Sequence, residues 1–296
     1  MAKTTTTKKD ETTDLAEVKA NELAASSFDY GDDSGVGFED VKGSDLSIPF
    51  INLLQSNSPE VQKCEDGTII MGMMKNSVTG EYYKRTGFTF LPVHKEEAFV
   101  EWVPRIKGGG FVKLHSPTSD EVSRVIERNG GRMPKKGADG KKIPIMIGEN
   151  ELVETYYVYG LLLDDDCKQS SGFAVIAFTS TKIRVYRDWL TAMFMIRGRP
   201  PMYAIPARIS VDIQKNESGT FGNYVISPAV EGNWVKGLLP LGSDLYVAGK
   251  EFQKMVIGGL ARADFDSQGT DTTSGAGDYE DSPSAGDSGN KEEIPF

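Results

Sequence analysis

Apolar positions are sparse over residues 1–45, where Thr, Asp, Gly and Lys dominate, and the segment reads as disordered with one short helical spacing in "DLAEVKANELAASS". Apolar density rises at "SDLSIPFINLLQSNSPEV", where the folded region is expected to begin. Short β-leaning runs broken by turn residues follow. "GTIIMGMM" and "GEYYKRTGFTFLPV" predict two strands around the turn "NSVTG", "AFVEWVPRI" predicts a third closed by "KGGG", and "FVKLH" resumes the ladder. "SDEVSRVIERNGG" has helical spacing at Val122, Val125 and Ile126, with Ser119 or Asp120 as cap and Gly130 as stop. Residues 130–148 form a basic, glycine-rich excursion. "ELVETYYVYGLLL" and "GFAVIAFTS" are strong β segments joined by the turn "DDDCKQSS". "STKIRVYRDWLTAMFMIRG" predicts a helix stopped by Gly198, "YAIPARISVDIQKNESGTFGNYVISPAV" a hairpin, and "SDLYVAGKEFQKMVIGGLARA" a last helix capped by Ser243.

Roughly eight strands with two or three helices, lacking β-α-β alternation, predict an α+β or mostly-β class. The expected architecture is a partly open, OB-like barrel with added helices, flanked by acidic disordered segments. The domains read as 1–45, 46–263 and 264–296.

Charge sharpens this division. The chain carries 33 basic and 43 acidic residues, but residues 46–263 hold 27 basic against 23 acidic, so an acidic protein contains a mildly basic body. An acidic arm competes with a polyanion for such a surface. Cys64 and Cys167 are far apart and outside any CxxC arrangement, which fits a reduced setting. The N-terminus has no apolar signal region, and no apolar run approaches the ~20 residues of a membrane helix. A soluble, cytoplasmic protein without a membrane partner is expected.

Motifs for catalysis are missing. No G-x-x-x-x-G-K-[ST] loop, G-x-S-x-G elbow or H-E-x-x-H helix occurs, and His94 and His115 show no zinc spacing with the cysteines. Asp164–Asp166 offer carboxylates to a divalent cation but sit between two strong strands, where a solvated turn is the simpler reading. No cofactor, metal or enzymatic activity is expected.

The body repeatedly sets cations beside rings: Lys84 and Arg85 after Tyr82 and Tyr83; Trp102, Arg105, Lys107, Phe111 and Lys113; Tyr186, Arg187, Trp189, Arg197, Arg199 and Tyr203. Single-stranded nucleic acid asks for cations along the backbone and flat rings under unstacked bases. Strand aromatics are also ordinary core residues, and Phe90 and Phe194 read as buried. "RIKGGGFVK" is the most persuasive stretch, because three glycines permit close backbone approach. Arg132, Lys135, Lys136, Lys141 and Lys142 make the excursion either a strand-closing arm or a solvated loop.

The low-complexity run from Gly269 to Asn290 leads to Glu292, Glu293, Ile294, Pro295 and Phe296. This ending resembles the C-terminal tip of bacterial and bacteriophage single-stranded DNA-binding proteins, in which an acidic linker closes on Ile-Pro-Phe. The resemblance covers only the tail; the body is larger than the bacterial domain, and Lys291 with two glutamates replaces the commoner aspartate run. It implies a body that coats single-stranded DNA in replication, recombination and repair, and a tip that recruits partner proteins. A terminal Phe with its carboxylate suits a small apolar pocket with a basic rim. Rival readings are a strand-annealing or recombination mediator that forms a homo-oligomer on DNA, a metal-dependent nuclease, and a phage assembly protein with a solubilising tail. Strand binding is expected to quench Trp102 or Trp189.

Overall fold

Two strands far longer than the rest organise the protein, Phe88–Trp102 and Asn150–Leu163, paired antiparallel from Thr89 opposite Leu163 to Trp102 opposite Glu151. The computed structural model of the chain describes residues 37, 47–263 and 265, apart from 133, 139–141, 165 and 217–218. The chain divides into Met1–Lys42 and Gly43–Phe296, and the architecture belongs to the second unit. Apart from Gly37 and Phe265, the acidic segments foreseen at either end, the short helix in the first and the Glu292–Phe296 tip lie outside the described residues.

In chain order the elements are β1 (Ser47–Ile48), β2 (Ile51–Leu53), α1 (Pro59–Lys63), β3 (Met74–Asn76), β4 (Tyr82–Tyr83), β5 (Phe88–Trp102), β6 (Phe111–His115) and α2 (Asp120–Asn129). Then come β7 (Lys135–Lys136), β8 (Lys142–Ile143), β9 (Met146–Ile147), β10 (Asn150–Leu163), β11 (Ser170–Thr179) and α3 (Lys182–Phe194). β12 (Ala207–Asn216), β13 (Gly219–Pro228), α4 (Asp244–Ile257) and β14 (Arg262–Ala263) complete the series. The protein is mostly β. Its main sheet runs β11-β10-β5-β12-β13, with β6 added to β5 and β9 to β10, and all these pairings are antiparallel.

Both faces of this sheet are buried, and strand parity divides its side chains. In β10, Val153, Tyr157, Tyr159, Leu161 and Leu163 enter a layer with Leu245 and Phe252 of α4. Val158 and Leu162 enter the opposite layer with Tyr186, Trp189 and Met193 of α3. β5 changes parity partway. Leu91 and Val93 share the α4 layer with Ala98, Val100 and Trp102 because the register slips at Val93, where His94 pairs with Tyr159 but Pro92 with Gly160. The extra residue is a bulge that turns the second half of the strand over. Gln253 of α4 donates to the Val93 carbonyl (2.7 Å), satisfying an acceptor on the side of β5 between β12 and β6. Opposite the bulge, a Cβ at Gly160 would collide with the Leu91 carbonyl and the Phe90 ring.

The ladder does not close into a barrel, since β11 and β13 are the outer strands and do not pair with each other. The chain between Pro49 and Gln55 reaches both edges. Val175 N donates to Pro49 O (2.8 Å), while Gln55 exchanges two hydrogen bonds with the Gly222 backbone (2.9 and 3.1 Å). Helix α3 packs on β11, β10 and β13.

Several expected elements take different bounds. "FTFLPV" and "AFVEW" fuse into β5, because the charged His94–Glu97 stretch between them keeps extended backbone on the strength of pairing with β10. In "GTIIMGMM" only Met74 enters a strand. The α3 helix ends at Phe194 rather than Gly198; Gly198 (φ 88°) and Arg199 (φ 46°) reverse the chain instead. Helix α2 begins and stops as its sequence directs, with Ser119 Oγ accepting from Val122 N and Gly130 left-handed at φ 79°.

Candidate nucleic-acid interface

The β5–β6 connection leaves the sheet beyond Trp102. Arg105–Lys107 form a 3₁₀ turn, and Gly108, Gly109 and Gly110 follow at φ 107°, 71° and 132°, a path only glycine takes without strain. Val103 N donating to Gly110 O (2.9 Å) closes the loop. Ile106 at its tip is 95% exposed, and Lys107 beside it bonds Glu149 of the β9–β10 turn (2.7 Å). Lys113 is exposed on β6, and half-buried Phe111 meets Trp102 edge-on and stacks on Phe265. The base of the loop is braced by His115, which lies 2.8 Å from Glu101, while Asn150 donates to the same carboxylate (2.6 Å). Burial opposes ionisation of Glu101, but the Asn150 and His115 hydrogen bonds outweigh it and hold the carboxyl below its usual range.

The excursion over residues 130–148 joins this end of the sheet, because β9 pairs with Asn150–Glu151, next to Trp102. Arg132 bonds Glu97 and Glu154 and lies over the Phe99 ring (5.6 Å), fixing the excursion's root. Beyond it β7 and β8 form a ribbon whose register sets Lys135 opposite Ile143 and Lys136 opposite Lys142. Residues 103–149 hold ten basic and five acidic side chains, whereas the rest of 46–263 holds 17 and 18. The whole excess of positive charge in the body therefore falls in these 47 residues, which leave the sheet after Trp102 and rejoin it at Asn150.

The other predicted cations gather elsewhere. Lys84 and Arg85 precede Phe88, with Arg85 Nε donating to Met71 O (2.9 Å). Arg197, Arg199 and Tyr203 lead into β12, whose Ala207 pairs with Phe90. Tyr203 is half-buried and packs edge-on against Tyr246. Twelve residues of β5 separate Phe90 from Trp102, roughly 40 Å of strand. The structure thus brings Lys107, Phe111 and Lys113 together but divides them from Lys84, Arg85, Arg197 and Arg199. Arg187 stands between the two groups on α3, over the Tyr156 ring (5.9 Å). The side chain of Arg105 and the whole of Lys141 fall outside the described residues.

The ring assignments need correction. Trp102 (5% exposed), Tyr186 and Trp189 lie in the core, because even residues of the second half of β5 and the inner face of α3 point between layers. They have no face to offer a base, and quenching of Trp102 or Trp189 by contact is not expected. Phe194, read as buried, is 58% exposed. Helical spacing reveals it, since Arg184, Arg187, Thr191 and Phe194 follow one another along one face of α3, and each is exposed. The Asp164 carboxylate accepts from Lys168 N and Gln169 N (2.7 and 3.2 Å), holding the β10–β11 turn. No group of three or more His, Cys, Asp or Glu is placed to hold a metal among the described residues. None of the helices described is long and apolar enough to cross a membrane.

No curated protein and no solved structure matches the chain. One family model does, that of the Pam3 phage gp34-like protein, aligned over residues 18–262. The match takes in the whole main sheet, the helices α3 and α4 on its two faces and both cationic ends, and on that extent the chain belongs to the Pam3 phage gp34-like family.

Proposed function

We propose that this protein binds single-stranded DNA without sequence preference and coats it during replication, recombination or repair, as the family's phage name and the Ile-Pro-Phe tail suit. The observation that supports this most is that the body's excess positive charge falls in residues 103–149, the stretch that leaves the sheet at Trp102 through a triple-glycine loop and rejoins it at Asn150. Lys107 follows the exposed Ile106, and Lys113 is exposed two residues along β6 from half-buried Phe111, so phosphates and bases both find contacts. The antiparallel sheet bridged at its edges by residues 49–55 plays the part of an oligonucleotide-binding-type barrel in this reading. The segment Glu292–Phe296 is the contact for protein partners.

Strand annealing is the second reading, favoured by the two cationic ends some 40 Å apart along β5, which give one molecule room for two strands. Fluorescence anisotropy with labelled oligo-dT and labelled duplex, at rising salt, tests the main reading. Tighter binding to the single strand, weakening with salt, is expected; equal binding to both, or to neither, overturns it. Faster pairing of complementary strands in the protein's presence supports annealing as well.

A further inference from the structure

The end of helix α3 carries a surface that the charge of the loop end does not explain. Phe194, the last residue of the helix, and Met195 just after it are 58% and 76% exposed, where large apolar side chains ordinarily turn inward. Their neighbours Met193 and Ile196 are buried, so the helix is not frayed from the body; it is anchored there with one ring and one thioether facing out. The chain then bends sharply. Gly198 at φ 88° and Arg199 at φ 46° are both left-handed, and Arg199 N donates to Ile196 O (3.0 Å). An arginine rarely holds that conformation, and here it places the guanidinium 4.5 Å over the Phe194 ring. Arg197 is exposed on the same turn, and toward the start of the helix stand Arg187, over the Tyr156 ring, and Arg184, paired with the exposed Asp188 (4.0 Å).

We infer that Phe194 is a base-stacking platform and Arg199 its phosphate clamp, a binding site for one unstacked nucleotide of a single strand. Charge decides the occupant. An exposed ring with Arg199 over its face and Arg197 exposed on the same turn fits a ligand that is both flat and anionic, a single strand of nucleic acid. The contact between Arg199 and Phe194 is a solvent-exposed cation–π pair, weaker than a base stacked on the same ring, so an incoming base displaces the guanidinium. The guanidinium then turns to the flanking phosphate, which it meets with two parallel donors. Pro200 and Pro201 fix the chain just beyond, keeping the turn shaped in the absence of ligand.

This inference rests on the single-strand reading above, and its test separates the two. Binding of labelled oligo-dT is compared with binding of an abasic strand of equal length and phosphate number, for the wild-type chain, Phe194→Ala, Phe194→Trp and Arg199→Gly. Phe194 is exposed and glycine suits the left-handed position 199, so each variant keeps the fold, which circular dichroism verifies. Phe194→Ala is expected to weaken oligo-dT binding ~10-fold while leaving abasic binding unchanged, and Phe194→Trp to restore it. Arg199→Gly is expected to weaken both strands alike and to lower the salt dependence. Equal loss of both strands in Phe194→Ala, or loss of neither, overturns the platform while leaving single-strand binding intact as a function. Wild-type protein that binds neither strand overturns both. Self-association abolished by Phe194→Ala in sedimentation would identify a second copy as the occupant and overturn the inference.

Discussion

Gly160 offers a substitution whose sign depends on the packing of the sheet. Replacing glycine by alanine inside a strand ordinarily adds ~0.5–1 kcal/mol, because glycine gives up more freedom on folding. Gly160 lies opposite the β5 bulge, with the Phe90 ring and the Leu91 carbonyl against its Cα. A methyl there meets backbone on one side and a fully buried ring on the other, so neither neighbour yields cheaply. Overpacking of that kind costs about 1–3 kcal/mol, and with backbone involved the upper part of the range applies. The expected net effect of Gly160→Ala is a loss of ~2 kcal/mol. With a urea dependence of ~2 kcal/mol per molar, the unfolding midpoint falls by roughly 1 M, read by far-ultraviolet circular dichroism. Phe90→Leu makes room for the methyl, so the double variant is expected to be more stable than the two single losses added, by ~1 kcal/mol or more. A Gly160→Ala protein as stable as the parent, or strictly additive losses, would refute the packing described around the bulge.

Three further outcomes are expected. Cys64 Sγ, Thr68 N and Thr68 Oγ1 all donate to Asp66 Oδ1, with the thiol the largest influence, and lower its pKa to about 2; nuclear magnetic resonance titration should find that midpoint, and Cys64→Ala should raise it. The depressed value means that Asp66 favours the fold above the ordinary carboxylate pKa and loses that effect as pH falls through about 2. Burial pushes Tyr83 and Tyr186 up to about 12, so stability should decline above pH 10, where these phenols ionise in the unfolded chain only; a flat profile from pH 9 to 11.5 would count against their burial. Arg132→Ala leaves the buried Glu154 without its cation, and after allowance for the exposure of Arg132 a loss of ~1–2 kcal/mol is expected, with faster proteolysis within residues 130–148 and partial rescue by Glu154→Gln.

Much of the fold was legible because local chemistry agreed with it. Ser119 and Gly130 bracket α2, Asp164 holds the β10–β11 turn, and the β12–β13 hairpin keeps its full length. What local pattern could not show were the long-range pairings. The charged stretch His94–Glu97 reads as a break between two strands, yet β10 carries it through as one. The bulge at Val93 is equally silent in sequence, and it decides which way Trp102 points. For the candidate site, the cations were recognisable and the rings were not. Cations stay at the surface wherever the backbone takes them, whereas an aromatic residue beside them is core or platform according to one turn of helix or one step of strand parity. Trp189 and Phe194, five residues apart on α3, show both outcomes.

The central claim, that the Trp102 end of the sheet holds a single strand, is tested most directly by charge reversal at two places. Lys107→Glu with Lys113→Glu alters the loop end, and Lys250→Glu with Lys254→Glu makes the same change of charge on the exposed side of α4. Anisotropy of labelled oligo-dT is measured for both proteins across a salt series. The account predicts that the loop-end protein binds at least ~10-fold more weakly and with a shallower salt slope, while the α4 protein stays close to the parent. Equal weakening of the two would reduce the effect to net charge and contradict a site at this end of the sheet.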